Sequence, residues 1–242
     1  MIYFLGDIHG DFEHVLRITL ADRPTAIVFL GDIEAKRPFE QEIAPLLEAG
    51  IDVRWIRGNH DTDNRETWGH LSNAMQYNID GKIVEIGGLR VAGLGGVFRG
   101  EIWYPNPNSR TEQDPMFYSH ADYCRAQAEK RPRRLREGES AYPGFGKELK
   151  HLSSIFPAVY EQLYKQRADI LVTHEAPGCH PNGFSAIDEL ARAMHVRASF
   201  HGHHHDCLDY RSFDDQFGFK AYGVSFCSIM DETGRIVFAG KN

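Results

Sequence analysis

The chain has 242 residues, of which 42% are hydrophobic and 25% are charged, an ordinary globular composition that suffices to bury a sizeable core. Its formal net charge of −7 at pH 7 argues against a general DNA-binding or anionic-membrane-binding protein. The four dispersed cysteines argue against a disulfide framework, and the apolar N-terminal run, which stops at Gly6, is too short for a signal peptide or a membrane span. We therefore expect a reduced, cytoplasmic protein in which residues 1–242 form one domain.

The first sixty residues alternate strands with helices. Short apolar runs predict strands over residues 2–5, 26–30 and 52–56, and helical spacing of apolar residues predicts helices over 12–20 and 39–49. Continuously apolar strands that alternate with helices imply a parallel sheet covered on both faces, so the predicted class is α/β.

A short sequence, FLGDI, occurs twice in this part of the chain, at residues 4–8 and 29–33. Each copy falls where a predicted strand ends, and each places an aspartate, Asp7 or Asp32, just beyond that end. Two such strands one crossover apart should lie side by side, with both aspartates at the edge where open α/β sheets bind ligands.

Beyond residue 78 the pattern changes. Alternating hydrophobic residues on either side of Gly87 and Gly88 predict a hairpin over residues 79–94. Residues 98–150 have no clear period and are rich in Pro, Arg, Tyr and Gly, so we expect an irregular insertion or lid within the domain. The elements predicted after it are a helix at 155–166, a strand at 169–173, a helix at 185–194, a strand that ends near residue 201, and closing strands at 219–226 and 235–239.

The insertion contains a basic stretch at residues 125–136, with six basic side chains and one acidic. This stretch predicts either an arm that attracts a polyanionic substrate, such as a nucleotide or nucleic acid, or a solvated loop balanced by Glu137 and Glu139. The solvated loop is favoured. The aromatic residues of the insertion also have two possible roles: they either stack on nucleic-acid bases or anchor the insertion to the core. They are Trp103, Tyr104, Tyr118, Tyr123 and Tyr142.

Metal-binding side chains follow five of the predicted strands. They are Asp7 and His9, Asp32, Asn59 and His60, His174, and His203 to His205. Carboxylate, imidazole and carboxamide ligands at one sheet edge suit Mn, Fe, Zn or similar divalent ions, and the near absence of cysteine argues against a structural zinc site. Each motif alone is weak, but their order, each after a strand, indicates one metal site.

These motifs resemble those of the calcineurin-like metallophosphoesterases. The matching segments are GDIHG at 6–10, GD at 31–32, GNHD at 58–61, TH at 173–174 and GHHH at 202–205, which span most of the chain apart from the insertion. The resemblance implies a four-layer α/β/β/α sandwich. The second motif departs from GDxxDR, the form in the family's protein serine/threonine phosphatases, because residues 31–37 read GDIEAKR.

The same resemblance implies two divalent metal ions, Mn, Fe, Zn or Ni, with Mn favoured. Three residues would hold the first ion: Asp7, His9 and His205. Three would hold the second: Asn59, His174 and His203. Asp32 would bridge the two ions, and a metal-bridging hydroxide would attack phosphorus in line.

The resemblance also implies two catalytic residues. His60 would point at the phosphate or the leaving group, and Asp61 would orient its ring. General acid catalysis by His60 is favoured over simple hydrogen bonding to phosphate.

The histidine-rich segment, SFHGHHHDC at residues 199–207, contains two expected ligands. If the segment is extended, His203 and His205 face one way and His204 the other. We therefore expect His204 to be a spacer at the rim, within reach of substrate, and His201 to support the ligands without being one.

The predicted function is a metal-dependent phosphoesterase that hydrolyses phosphate mono- or diesters. Two alternatives stay open: a metal-dependent nuclease or nucleotide phosphodiesterase acting on a polyanionic substrate, and a non-catalytic binding scaffold, which the complete ligand set disfavours. The expected substrate is a phosphorylated small molecule, a nucleotide or a phosphoprotein. Nucleic acid is a less favoured partner, no membrane partner is expected, and the sequence leaves the oligomeric state open.

Overall fold

The structure, a computed structural model, describes residues 1–105, 114–130 and 147–240. Within these ranges the chain forms ten strands in two five-stranded sheets. The strands are β1 (Ile2–Leu5), β2 (Ala26–Phe29), β3 (Asp52–Trp55), β4 (Ile83–Ile86), β5 (Leu89–Leu94), β6 (Ile170–Thr173), β7 (Ala198–His201), β8 (Lys220–Gly223), β9 (Ile229–Asp231) and β10 (Ile236–Phe238).

The described residues also form eight α-helices and three short 3-10 helices. The α-helices are α1 (Glu13–Asp22), α2 (Phe39–Glu48), α3 (Arg65–Ser72), α4 (His120–Lys130), α5 (Lys147–Lys150), α6 (Pro157–Tyr164), α7 (Ser185–Ala193) and α8 (Asp214–Phe217). The 3-10 helices are His60–Thr62, His151–Ser153 and Arg211–Phe213. Within these ranges, none of the helices combines the length and the apolar character that crossing a membrane requires.

The strand order is β10-β9-β1-β2-β3 in the first sheet and β4-β5-β6-β7-β8 in the second. Strands β1 to β3 run parallel, as do β5 to β8, while β4, β9 and β10 pair antiparallel with their neighbours. Leu5 pairs with Phe29, and Phe29 pairs with Trp55, so the carboxyl ends of β1, β2 and β3 are level. The two copies of FLGDI therefore lie on adjacent parallel strands, as predicted.

The two sheets pack face to face. Phe4 of β1 stacks on Phe200 of β7 with ring centroids 4.0 Å apart, inside a buried cluster to which both sheets contribute. Neighbouring residues of β1, such as Leu5, point the opposite way and pack under α1 and α2. The outer face of the second sheet packs on α6 and α7.

These contacts give the four-layer α/β/β/α sandwich, which confirms the predicted fold class. They also explain the continuously apolar strands, because every side chain of β1, β2 and β6 is buried on one face or the other. The expected cover on both faces of the first sheet is present, but one of the two covers is the second sheet and not a helical layer.

The insertion is anchored by aromatic side chains. Trp103 packs on Phe98 and on Tyr160, with ring centroids 5.2 Å apart in both pairs, and Tyr123 is 3% exposed. This favours the anchoring alternative for those aromatic residues. The insertion is also less irregular than expected, because α4 lies within it. Most of the basic stretch at 125–136, together with Tyr142, lies outside the described residues.

Candidate metal centre

Loops that follow β1, β2, β3, β6 and β7 meet at one edge of the sandwich, where the parallel strands of both sheets end. They bring together all seven residues that were predicted as metal ligands: Asp7, His9, Asp32, Asn59, His174, His203 and His205. The sheet register causes this convergence, because the parallel strands of each sheet end at one level.

Asp7, His9 and His205 form the first group, with one ligand atom of each within 4.8 Å of the others. The Nε2 atoms of His9 and His205 are 3.2 Å apart, and His205 Nε2 lies 3.0 Å from Asp7 Oδ2. Residues separated by nearly 200 positions in sequence thus point their lone pairs at one small volume.

Asp32, His174 and His203 form the second group, again within 4.8 Å of one another. His174 Nε2 lies 3.4 Å from Asp32 Oδ2 and 3.1 Å from Asn59 Oδ1, so the carboxamide joins this group. The first group has the members of the first predicted set, and the second contains Asn59, His174 and His203 together with Asp32, which was predicted to bridge the two ions.

The two groups touch each other through Asp7. Its Oδ1 lies 3.9 Å from His174 Nδ1, and its carboxylate accepts the backbone N–H of His203 at 2.9 and 3.1 Å. Asp7 and Asp32 are each 1% exposed. Two buried carboxylates that face imidazole nitrogens are stable when a cation lies between them, so this donor set fits divalent metal ions.

The backbone at these ligands is strained. His9, Asp32, His203 and His205 have φ angles of 43°, 46°, 73° and 56°, in the left-handed region that non-glycine residues seldom adopt. Strain of this kind persists only where surrounding structure imposes it, and it concentrates at functional sites.

Two glycines allow the loops to approach each other closely. Gly31 has a φ of 102°, and a Cβ at this position would lie 2.5 Å from His174 Nδ1. A Cβ on Gly202 would lie 2.4 Å from Asp7 Oδ1. Glycine before Asp32 and before His203 is therefore required for these loops to meet at the candidate metal centre.

Comparison with known proteins accounts for this arrangement. A model of the family described as calcineurin-like phosphoesterase matches residues 1–207. The chain belongs to the calcineurin-like phosphoesterases. It is also 37% identical, over 238 residues, to an uncharacterized protein of Haemophilus influenzae, and the alignment covers 97% of this chain and 95% of that protein.

Two solved structures share the fold of this phosphoesterase. The protein TT1561 of Thermus thermophilus aligns with a TM-score of 0.53 at 14% identity, covering 97% of this chain and 96% of that chain. A dimetal phosphatase from Danio rerio aligns with a TM-score of 0.54 at 14% identity, covering 94% and 91%. At such low identity the similarity shows the fold alone.

Hydrogen bonds orient two of the histidine rings in this phosphoesterase. His174 Nδ1 donates to the carbonyl of Leu30 at 2.8 Å, which directs Nε2 at the second group as the nitrogen that would coordinate once its proton is lost. His9 Nδ1 lies 2.5 Å from Glu34 Oε2, so a proton there likewise leaves Nε2 facing the first group. Glu34 was not among the predicted site residues, although it lies only two residues after Asp32.

In the second group, the pKa values of His174 and Asp32 depend on each other's charge. Burial lowers the pKa of His174, but the carboxylates of Asp32 and then Asp7 outweigh that effect and raise it to about 10. Burial raises the pKa of Asp32, yet attraction to His174 wins and holds it below the usual range. Burial lowers the pKa of His203 to about 3, so this imidazole is neutral and able to coordinate. The metal-free second group thus holds a proton that a metal ion must displace.

Asp63, and not Asp61, lies beside the ring of His60. His60 Nδ1 is 2.6 Å from Asp63 Oδ2. The cause is the 3-10 helix at His60–Thr62, because side chains three residues apart eclipse in this geometry. The ring-orienting position that the resemblance implied for Asp61 is therefore occupied by its neighbour two residues later.

Asp61 instead ties two of the metal-binding loops together. Its buried carboxylate accepts the backbone N–H groups of Ile33, Gly58 and Glu34 at 2.7, 2.8 and 3.0 Å. Burial first, and then the charge of Asp32, raises the pKa of Asp61 to about 7, while these amides oppose the rise. Asp61 thus positions the loops that carry the ligands.

The histidine-rich segment is a turn, not an extended strand, because β7 ends at His201 and the φ angles of His203 and His205 are positive. The turn still sends His203 to the second group and His205 to the first. His204 is half-buried and stacks on His180 at 3.9 Å between centroids, so it packs against a neighbouring loop, and its reach to substrate stays a prediction. His201 is buried and pairs with Tyr210 Oη at 3.1 Å, in keeping with a supporting role.

Other features near the centre were not predicted. A cleft of about 380 Å³ opens beside His9, and Lys36, Thr67 and His70 also line it. Two further sets of three candidate ligands lie within 4.8 Å of one another: Glu175 with His203 and His204, and Asp11 with His14 and Cys227. Each set joins two residues that are close in sequence to a third from a distant segment, so the local sequence does not indicate the set.

Proposed function

We propose that this chain is a dinuclear metal-dependent phosphoesterase that hydrolyses phosphate mono- or diesters of phosphorylated small molecules or nucleotides. The observation that carries the proposal is the pair of ligand groups at one sheet edge, joined through Asp7. Each group combines a buried carboxylate with two imidazoles. Membership of the calcineurin-like phosphoesterases supports the class of reaction.

The residues proposed to hold the ions are Asp7, His9 and His205 for one, and Asn59, His174 and His203 for the other, with Asp32 between them. Carboxylate, carboxamide and imidazole ligands without thiolate suit Mn, Fe, Zn or Ni, and of these we propose Mn²⁺. When bound, two divalent ions supply the Lewis acidity that polarises a phosphoryl group and acidifies the attacking water.

His60 is proposed to donate a proton to the leaving oxygen. Its backbone N–H donates to Asp32 Oδ1 at 2.8 Å, which fixes the residue against the proposed bridging carboxylate. The side chain is 47% exposed, and Asp63 engages Nδ1, so Nε2 is left for substrate. Burial lowers the pKa of His60, but the hydrogen bond to Asp63 and the charge of Asp32 outweigh that effect and raise it above the ordinary value, which favours a proton donor.

The cleft beside His9 is proposed to hold the organic part of the ester. Its volume of about 380 Å³ exceeds what a phosphate alone requires, and it opens next to the first ligand group. Lys36, Thr67 and His70 would then contact the leaving group. This arrangement favours a substrate with a sizeable organic group.

Hydrolysis assays on the purified chain test the proposal. The metal-stripped protein should be inactive, and added Mn²⁺ should restore hydrolysis of p-nitrophenyl phosphate, bis(p-nitrophenyl) phosphate or both. The ratio of the two rates decides between monoester and diester preference. If the protein binds two ions and hydrolyses neither ester nor any nucleotide, the non-catalytic scaffold is correct. Cleavage of single-stranded DNA under the same conditions would favour the nuclease.

A further inference from the structure

Arg99 lies between the loops that carry His60 and His174. Its neighbour Phe98 donates its backbone N–H to Oε1 of Glu175 at 3.0 Å, and Glu175 directly follows His174 in sequence. The backbone on the N-terminal side of Arg99 is thus attached to the loop of the second ligand group.

A second connection runs to the loop of His60. Arg99 Nη1 donates to Ser153 Oγ at 3.3 Å, and that hydroxyl is 2.6 Å from Thr62 Oγ1, at the end of the His60–Thr62 helix. Val97 also pairs with the segment at Ser154, which fixes the backbone there. Arg99 is therefore linked through Ser153 to the loop that carries His60.

Among the described residues, no carboxylate contacts Arg99 to balance its positive charge. Its four hydrogen bonds all come from Nη1, and all reach uncharged acceptors: Lys150 O, Ser153 O, Ser153 Oγ and Ser154 Oγ, at 2.8 to 3.3 Å. Within the part of the chain that the structure describes, no carboxylate oxygen lies within 4.0 Å of this guanidinium. The side chain is partly buried, and this burial lowers the pKa of Arg99 although Glu101 and Asp63 oppose it.

Arg57, the other arginine near the centre, differs in this respect. Its Nε lies 2.5 Å from Asp80 Oδ2, and its Nη1 donates to the carbonyl of Leu152 at 2.6 Å. Arg57 is thus neutralised by a partner of its own. Arg99 keeps Nε and Nη2 without an acceptor among the described residues, and partly buried charges are stable when an anion pairs with them.

We propose that Arg99 binds the phosphoryl oxygens of the substrate and of the product phosphate. The ligand class is a tetrahedral oxyanion, to which a planar guanidinium donates two parallel N–H hydrogen bonds. The inference deepens the proposed function and rests on it, since it places a cationic clamp for phosphate beside the metal-binding loops. It also gives the first residues of the insertion a direct part in substrate binding.

Inorganic phosphate is the probe that tests Arg99, with the affinity of the Mn²⁺-loaded full chain measured by calorimetry. Arg99→Ala should weaken phosphate binding by about 10- to 100-fold, as expected for loss of hydrogen bonds to a charged group, with both ions retained. The phosphate affinity of Arg99→Lys should lie between those of wild type and Arg99→Ala, because lysine keeps the charge and loses the two parallel N–H donors of the guanidinium. Free guanidinium should restore part of the affinity to Arg99→Ala and none to Arg99→Lys.

Ser154→Ala is the matched control, because it removes one acceptor of Arg99 and keeps the cation. If Arg99 only anchors the insertion, Ser154→Ala, which removes one of its four anchoring bonds, should also weaken phosphate binding, though less than Arg99→Ala, and guanidinium should rescue neither. That result, or phosphate affinity within about twofold of wild type in Arg99→Ala, overturns the proposal. If Arg99→Ala does not fold, Arg99→Lys with its intermediate affinity carries the test. Failure of the proposed function is recognised separately, as absent ester hydrolysis by a chain that still binds phosphate through Arg99.

Discussion

The two ligand groups of the metal centre differ in their exposure to solvent. In the first group Asp7 is buried, but the side chains of His9 and His205 are 22% and 46% exposed. In the second group Asp32 and His174 are 1% and 0% exposed. Buried donors are already ordered before an ion binds, and water shields them less, so we expect the second group to hold its ion more tightly.

The difference also separates the tasks of the two groups. The first group borders the cleft through His9, where a substrate arrives from solvent. The second lies deeper, against the loops that the Asp61 carboxylate and the Phe98 backbone contact. The exposed ion would therefore meet the leaving-group side, while the buried ion would fix the architecture of the centre.

The largest expected effect comes from removing the carboxylate that the two groups are proposed to share. Asp32→Asn should lower kcat by roughly 10³-fold, because it weakens both the binding and the charge balance of the ions. Metal content per chain should fall at the same time, measured by elemental analysis alongside turnover. Asp52→Asn on the amino-terminal side of β3 is the control and should change neither quantity. Full metal content in Asp32→Asn would contradict a bridging role.

His60→Ala should lower kcat by about 10²-fold with both ions retained, since a general acid contributes to the chemical step and not to metal binding. Turnover and elemental analysis of the same preparation measure the two quantities together. Loss of metal in this variant would show that His60 is a ligand.

Variants of Asp63 and Asp61 test which of the two acids orients the His60 ring. Asp63→Asn should lower kcat by about tenfold at full metal content, because it alters only the orientation and charge of the His60 ring. Asp61→Asn should lower metal affinity and thermal stability first, because it loosens the loops that it joins. The reverse pattern would restore Asp61 as the ring-orienting residue.

Two matched histidine variants test whether the two groups differ in metal affinity. His174→Ala should cost the tightly bound ion, and His205→Ala the weakly bound one, with each affinity falling by about 10- to 100-fold or more. Dialysis against a graded series of chelator concentrations, followed by elemental analysis, measures which ion is lost. Equal retention of metal in the two variants would mean that burial does not distinguish the groups.

A smaller effect concerns protons. Because the pKa of His174 is raised to about 10 in the metal-free centre, its ring is protonated at pH 7 and must lose that proton to coordinate. Metal affinity of the second group should therefore increase with pH, by about tenfold per pH unit below the pKa. Calorimetry of Mn²⁺ binding in buffers of different ionisation enthalpy counts the released protons. An affinity independent of pH between 6 and 8 would contradict the Asp32–His174 ion pair.

The strands and the ligands were predictable for one common reason. A strand buried on both faces has an unmistakable apolar pattern, and each ligand follows such a strand within a few residues, as Asp7 follows β1 and His174 follows β6. Parallel pairing then makes convergence at one edge a geometric necessity. Short elements gave no such signal: β9 has three residues, and neither it nor α3 was predicted.

The remaining features depend on local geometry or on long-range contacts. Asp63 reaches His60 only because a 3-10 helix forms there, and an extended or α-helical chain would have favoured a different acid. The stacking of His204 on His180 depends on how the loops after β6 and β7 meet. Arg99 lies in a segment without periodicity, so its place beside Thr62 and Glu175 could not be predicted from the sequence.

Stepwise titration of the metal-free chain with Mn²⁺ by calorimetry tests the central claim most directly. We predict two ions per chain, one bound more tightly than the other. The tight step should be weakened in His174→Ala and the weak step in His205→Ala. A stoichiometry of one ion, or two steps that respond identically to both variants, would contradict a centre built from a buried and an exposed group.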